Sequence, residues 1–457
     1  MDVQVQRSFT IPPPATKSEE VPLTVFSLFM PSYYYTILFA FTSPNPTNAA
    51  LVHALTTTLS HFPLLTARLT NKPRRRHGAA GGDDRRPCFV IGDQGSGALV
   101  VEAAVSASPL SDHLPLVPSP ELALLHPPVV DEQGAAATPH LFRVQITRFA
   151  CGGLVIATSV QHQAADGCSL STFLHAWAGA VRAGGGVPRL DHPVPYGPGA
   201  LVPRCPPRCE FEHRGVEFLP LLSSPQPEHP PPPAETETTT TNMLLHYTGE
   251  FVAELRASVQ DRHTAFEAVS AHLWRKVTAA RGCAASGDGD DADTRTTTMI
   301  KVAVDGRRRL AGREAVFGNL ALTALSRTAV GKLVAKGGLA DAAALVRAGV
   351  RAVDGRYFQS FIDFGALHGD EELVPIWEKP SETNFLDLEV DSWLRLGFDR
   401  LDFGLGGRLV GILPARIPLD GVVVLIPSMR EAGGIHVLVA LHDKPARVLK
   451  DIAYTID

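Results

Sequence analysis

Apolar residues fall at Leu51, Leu55, Leu59 and Phe62, and Pro63 closes the stripe, which predicts a helix over Asn48 to Phe62. The run Leu154-Val155-Ile156-Ala157-Thr158-Ser159-Val160 instead predicts a buried strand. It leads into His162-Gln163-Ala164-Ala165-Asp166-Gly167 and then a second helical stripe at Leu170, Phe173, Leu174, Trp177 and Val181, ended by Gly184-Gly185-Gly186. Tyr33-Tyr34-Tyr35 reads as the start of a half-buried strand. In the second half Thr264 and Glu267 form a capping pair before a helix with Phe266, Val269, Leu273 and Val277 inward. Met299 to Val304 then predicts a strand, Leu339 to Val353 a helix, and Gly421 to Pro427 and Ile435 to Leu441 two buried strands. Strand and helix alternate in both halves without a solenoid repeat, so the fold class is α/β with two lobes of similar size.

Between these elements the polar stretches set the organisation. Lys72 to Arg86, with Arg74-Arg75-Arg76 and paired glycines, reads as an exposed loop, and Ser286 to Asp293 as a disordered one. From about His192 to Thr241 the chain is Pro-rich and then Thr-rich, an irregular crossover expected to carry a short strand near Gly215-Val216-Glu217-Phe218. The division is therefore residues 1–191, a first lobe; 192–241, the crossover; and 242–457, a second lobe. A chain of 457 residues fits this division, because single cores rarely grow past roughly 250–300 residues.

Composition narrows the function classes. Hydrophobic residues are 45% and charged residues 19%, as in a globular protein. The net charge of −5 comes with no basic stripe, which argues against a nucleic-acid partner. The N-terminus lacks a signal-peptide core, and no apolar run approaches the roughly 20 residues of a membrane span, so a cytosolic protein without membrane contact is expected. The six cysteines suggest neither a disulfide framework nor a metal site, since Cys205-Pro-Pro-Arg-Cys209 has no second pair.

Candidate chemistry centres on His162. A histidine at the end of a buried strand can exchange protons near neutral pH. The chain has 17 histidines, though, and His213, His246, His263 and His368 each also have a Glu at the fifth position, so spacing alone is weak. Asp166 directly precedes a helix and fits an N-cap. Ser159 and Cys168 lie nearby without a nucleophile–base–orienter pattern. Asp402-Phe403-Gly404-Leu405-Gly406 is a second candidate, weakened by the other copy of its first three residues at Asp363-Phe364-Gly365; neither copy has the loops of a kinase.

Together, His162-Gln-Ala-Ala-Asp166-Gly167, Val304-Asp305-Gly306-Arg307, Val316-Phe317-Gly318-Asn319 and Asp402-Phe-Gly-Leu-Gly406 resemble the motifs of the plant BAHD acyl-CoA-dependent acyltransferases over nearly the whole chain. Thr147 to Val155, His213 to Phe218, Tyr357 to Phe364 and Leu388 to Arg395 further resemble the grass amine N-hydroxycinnamoyltransferases acting on agmatine, putrescine or tryptamine. The resemblance implies two lobes of the chloramphenicol-acetyltransferase-like type with a channel between them, acyl-CoA as co-substrate, no bound cofactor or metal, and a monomer. It implies that His162 is the general base that deprotonates the acceptor as it attacks the thioester. It makes Asp166 a structural residue paired with Arg307, with Gly167, Asp402, Gly404 and Gly406 architectural; Leu405 replaces the family's tryptophan.

The resemblance further implies that Ser392, Trp393 and Arg395 line the acceptor side, with Tyr35 a candidate to stack on an aromatic ring. An alkyl amine arrives as ammonium, with a pKa of about 10, so desolvation or acidic neighbours would help it lose a proton. Arg395 opposes a cation unless it is paired, and a buried structural pair is one expectation for it. The expected activity is hydroxycinnamoyl transfer to an amine. The alternatives are O-acylation of an alcohol such as shikimate, a glycoside or a hydroxy acid, and a silent binding protein of the same fold.

Overall fold

A computed structural model describes residues 1–73, 85–127, 140–186, 194–220, 239–260, 262–282, 296–369, 371–378 and 386–456. Its first large sheet has six strands, in the order Gln4–Ile11, Ala98–Val105, Phe142–Phe149, Leu154–Gln161, Tyr34–Phe41 and Leu409–Pro414. Leu154–Gln161 is buried along its whole length, which is why its sequence is a continuous apolar run and not an alternating one. The helices Asn48–Leu59 and Gly167–Arg182 contribute Leu51, Leu55, Phe173 and Trp177 to the first core.

The second large sheet also has six strands, in the order Ala321–Ala329, Thr297–Asp305, Leu388–Ser392, Val422–Pro427, Ile435–His442 and Thr240–Tyr247. One face, with Leu388, Val390, Val423, Leu425, Val437 and Val439, packs into a second core with Val269, Leu273 and Trp274 of the helix Ala265–Ala280. That helix carries the capping box of Thr264 and Glu267. The opposite face presents Val424, Ile426 and Leu438 to the first core. Side chains on a strand alternate between faces, so odd-numbered positions on Leu388–Ser392 point where the two lobes meet.

The lobes trade elements, which corrects the assignment of 242–457 to one lobe. Leu409–Pro414 completes the first sheet by pairing antiparallel with Tyr34–Phe41, and Phe403 packs on Phe41 and Trp177 at ring distances of 5.5 and 4.9 Å. In exchange, the helix Val25–Phe29 enters the second core, where Phe26 lies 4.9 Å from Phe361 and 6.0 Å from Phe358. Hydrophobicity marks these residues as buried but does not say in which core.

Two connectors differ from expectation. Lys72 and Arg86 lie in paired strands, Arg68–Pro73 and Arg85–Ile91, which form a small sheet with Glu19–Pro22. The arginine run and the loop Ser286 to Asp293 lie outside the described residues. Residues 215–217 form a turn, not a strand; only isolated bridges link Phe218 to Arg214 and to Pro375. Gly215 with φ of 81° suits a turn and breaks an extended run. Among the described residues, no helix is long and apolar enough to cross a membrane.

Candidate active site

His162 follows the strand Leu154–Gln161 and is held by its backbone. Its N–H donates to Tyr33 O at 2.8 Å, and Asn319 Nδ2 donates to the carbonyls of His162 and Gln163, both at 2.8 Å. The imidazole packs against the rings of Tyr35 and Tyr33, at 5.0 and 5.8 Å. The Tyr35 hydroxyl donates to Ala165 O at 3.1 Å, so this side chain braces the turn after His162. Burial lowers the His162 pKa below its usual 6.5, and Asp166 and Asp391 only partly offset that. The ring is therefore a neutral base near pH 7.

Asp166 points away from this imidazole. Its Oδ1 accepts from Ser169 N and caps the helix Gly167–Arg182, while Oδ2 accepts from Leu320 N and Arg307 Nη1, each at 2.9 Å. Arg307 is 4% exposed. It donates to Val316 O, Asp166, Asp305, Ser169 Oγ and Gly318 O, which uses all five guanidinium hydrogens. Asp166 and Ser169 come from the first sheet's side, Arg307 and the Gly318–Leu320 segment from the second. The cluster bolts the lobes together directly behind the His162 turn. At Gly167 a Cβ would sit 3.0 Å from Leu396 Cδ1, so the turn has little spare room.

The second motif does not join this site. The strand Tyr34–Phe41 has Tyr35 paired with Val160 beside His162 at one end, and Phe41 paired with Leu409 at the other. Asp402, Gly404 and Gly406 therefore lie ~20 Å from His162, six strand residues away. There Asp402 Oδ1 accepts from Gly404 N at 2.7 Å, and Gly404, Leu405 and Gly406 all have positive φ, of 92°, 60° and 90°. This is a tight turn leading into the first-sheet strand Leu409–Pro414, with Leu405 69% exposed.

Ser392 and Trp393 end the strand Leu388–Ser392, which carries two carboxylates that sequence reasoning missed. Leu388 and Val390 face the second core, so Glu389 and Asp391 face the first lobe. Trp393 Nε1 donates to Asp391 Oδ2 at 3.0 Å. Burial raises the Asp391 pKa above the usual carboxylate range, although the Trp393 hydrogen bond and His162 oppose the shift. Burial also raises Glu389, against the nearby Lys301. Glu389 is exposed and His162 and Asp391 are half-buried, and burial acts on all three against the charged form. The signal was present in Leu-Glu-Val-Asp-Ser: two acids alternating with core residues in a strand between apolar strands.

Arg395 is exposed and has no ion pair among the described residues, which corrects the expectation of a buried structural pair. The cation acting on Glu389 is Lys301, not Arg395. Three residues beyond the strand end, this long side chain keeps its charged head in water.

A family model, the Transferase family, matches residues 1–455. The chain belongs to the BAHD acyltransferases. It is 33% identical to tryptamine hydroxycinnamoyltransferase 2 of Oryza sativa subsp. japonica, covering 100% of this chain and 99% of the relative. It is equally 33% identical to the putrescine hydroxycinnamoyltransferase of that plant, covering 99% and 98%. The fold matches that of F. sporotrichioides TRI101, solved with coenzyme A and T-2, with a TM-score of 0.70 at 16% identity, covering 95% of this chain and 97% of that one. This BAHD protein is thus a CoA-dependent acyltransferase with the two-lobed α/β architecture. Among the described residues no group of His, Cys, Asp and Glu could hold a metal ion.

Proposed function

We propose that this enzyme transfers a hydroxycinnamoyl or related aromatic acyl group from coenzyme A to an amine such as agmatine, putrescine or tryptamine, with His162 as general base. The observation that carries the acceptor class is the pair Glu389 and Asp391 on the first-lobe face of one strand, with Asp391 acting on His162 and Arg395 exposed to solvent. Two carboxylates on that face favour a cation and repel an acidic acceptor such as shikimate. Relatives whose names specify tryptamine and putrescine support the same class.

In this reading the amine nitrogen attacks the thioester carbonyl, His162 takes a proton from nitrogen, and the tetrahedral adduct expels the thiolate, which regains that proton as CoA thiol. Asp166 and Arg307 hold the His162 turn and exchange no proton. A cytosolic, monomeric enzyme is part of the same proposal.

The test is CoA release with coumaroyl-CoA against a panel of amines and alcohols. Amines should be acylated, and His162→Ala should lower kcat by a factor of about 10²–10⁴, the usual weight of a positioned base. Undiminished turnover in His162→Ala would remove the base assignment. Acylation of alcohols alone would remove the amine assignment.

A further inference from the structure

We propose that Asp391 accepts the first of the two protons that an ammonium acceptor must lose, leaving His162 to accept the second. The inference rests on the amine reading and deepens it. An alcohol sheds one proton on acylation, and one base suffices. An alkylammonium sheds two, and a neutral imidazole can accept only one of them. At pH 7 only about one molecule in 10³ of an amine with pKa near 10 is the free base. An enzyme that deprotonates the abundant form in place therefore gains up to that factor in usable acceptor.

The geometry singles out Asp391. It stands on the cleft face of a strand flanked by parallel neighbours on both sides, paired with Val424, and its charge acts directly on His162. The Trp393 indole donates to Oδ2 at 3.0 Å and the Ser392 backbone also donates to the carboxylate, which together fix it, while a carboxylate has lone pairs enough to meet a further donor. Glu389 is placed differently. It pairs in register with Lys301, whose ammonium lies 3.3 Å from Asp387, and Lys301 acts directly on its carboxylate. Glu389 is suited to drawing the cation in, Asp391 to discharging it. The other groups facing Asp391 are Tyr33 and Tyr35, both kept protonated by burial, Asp166, which is neutralised by Arg307, and His162 itself.

The step balances. R–NH₃⁺ gives a proton to the Asp391 carboxylate, leaving R–NH₂ and a carboxylic acid, so two opposite charges vanish from a poorly solvated cleft. Burial favours that neutral pair by raising the acid and lowering the amine. The nitrogen lone pair then forms the C–N bond, His162 takes the second proton, the C–S bond breaks, and the thiolate recovers the proton from the imidazolium. Asp391 returns its proton to water, for a net release of amide, CoA thiol and one H⁺.

The experiment compares two acceptors of one skeleton with different basicity: putrescine and 2,2-difluoroputrescine, or phenethylamine and 2,2-difluoro-2-phenylethylamine where the panel favours an aromatic amine. The nitrogen beside the fluorines is mostly free base at pH 7. For Asp391→Asn, kcat/KM at pH 7 should fall by about 10²–10³ with the parent amine and by less than about tenfold with the difluoro amine, the gap following the free-base fraction. The deficit with the parent amine should shrink about tenfold per unit as pH rises toward that amine's pKa. Trp393→Phe provides a second arm. Without the indole donor Asp391 binds its proton more tightly, so the acid limb with the parent amine should move to higher pH while the profile with the difluoro amine stays in place. Equal losses with both amines at every pH, in both variants, would reduce Asp391 to a binding or structural group. If the unsubstituted enzyme acylates alcohols alone, the amine reading fails and the role of Asp391 fails with it.

Discussion

Leu405 shows what a single position does when it departs from a family pattern. It occupies the left-handed region at φ of 60° between two glycines that do the same, with its side chain 69% exposed. A non-glycine residue pays roughly 1 kcal/mol or more for that conformation, and the exposed isobutyl group returns little. Leu405→Gly should therefore raise stability by about 0.5–1 kcal/mol, after offsetting the added unfolded-state entropy; the urea midpoint reports it. Unchanged kcat would agree with the ~20 Å between this turn and His162. Gly407 contrasts with it: there a Cβ would lie 2.5–2.7 Å from the Pro44 and Thr42 carbonyls and Asn45 Oδ1, so glycine is required by close approach and not by φ. His162 and Asp166 were legible at this scale because a base after a buried strand and a helix cap are local features. The environment of Arg395 was not, since whether an arginine pairs or leaves for solvent depends on chain segments distant in sequence.

At the scale of elements, the helix Gly355–His368 works as an anchor for the crossover. Asp363, with no side-chain exposure, accepts from Arg204 N at 2.8 Å, Arg208 N at 2.9 Å and Arg204 Nε at 2.5 Å. Burial alone would raise its pKa, and those donors reverse the shift to below the usual carboxylate value. One turn earlier, Ser360 Oγ accepts from Glu210 N and Phe211 N and so directs its proton to His213 Nε2, 2.9 Å away; His213 Nδ1 meets Glu217 at 3.0 Å. A serine, a histidine and an acid in this order invite a catalytic reading. All three are at most 1% exposed, and the serine is saturated, so they form a clasp. Asp363→Ala strands two backbone N–H groups and a guanidinium, and should cost about 3 kcal/mol. Faster protease cleavage within 194–220, with acyl-CoA KM preserved in the folded fraction, would be the accompanying sign. The sequence offered His213 four residues before Glu217 but no hint of Ser360, because that partner comes from a helix far along the chain. Spacing misled elsewhere: His246 meets Glu431 and His368 meets Glu371, neither of them the glutamate at the fifth position.

For the whole molecule, the exchange of Leu409–Pro414 for Val25–Phe29 means that neither half owns a complete core. Without the former, Tyr34–Phe41 becomes a bare sheet edge, and without the segment just before it Phe41 also loses Phe403. Without the latter, Phe361 loses Phe26, a buried aromatic whose removal alone costs about 3–5 kcal/mol. Separately produced fragments 1–238 and 239–457 should each show non-cooperative unfolding and bind a hydrophobic dye. Mixed from denaturant, they should regain a single transition. Two independent transitions in the intact chain would contradict the shared cores.

By itself the chain determined its α/β class, two comparable lobes, most element positions, the His162 turn and the acyltransferase family. Each of these rests on local periodicity, capping chemistry or contiguous motifs, which act over a few residues. Only the tertiary structure decided which core received each apolar segment, that the two glycine-bearing motifs stand at opposite ends of one strand, and that Glu389 and Asp391 share the first-lobe face of their strand while Arg395 is exposed. Those outcomes depend on pairings between residues far apart in the chain. Hydrophobic burial is non-directional and leaves them open until strand register and side-chain alternation settle which residues share a face.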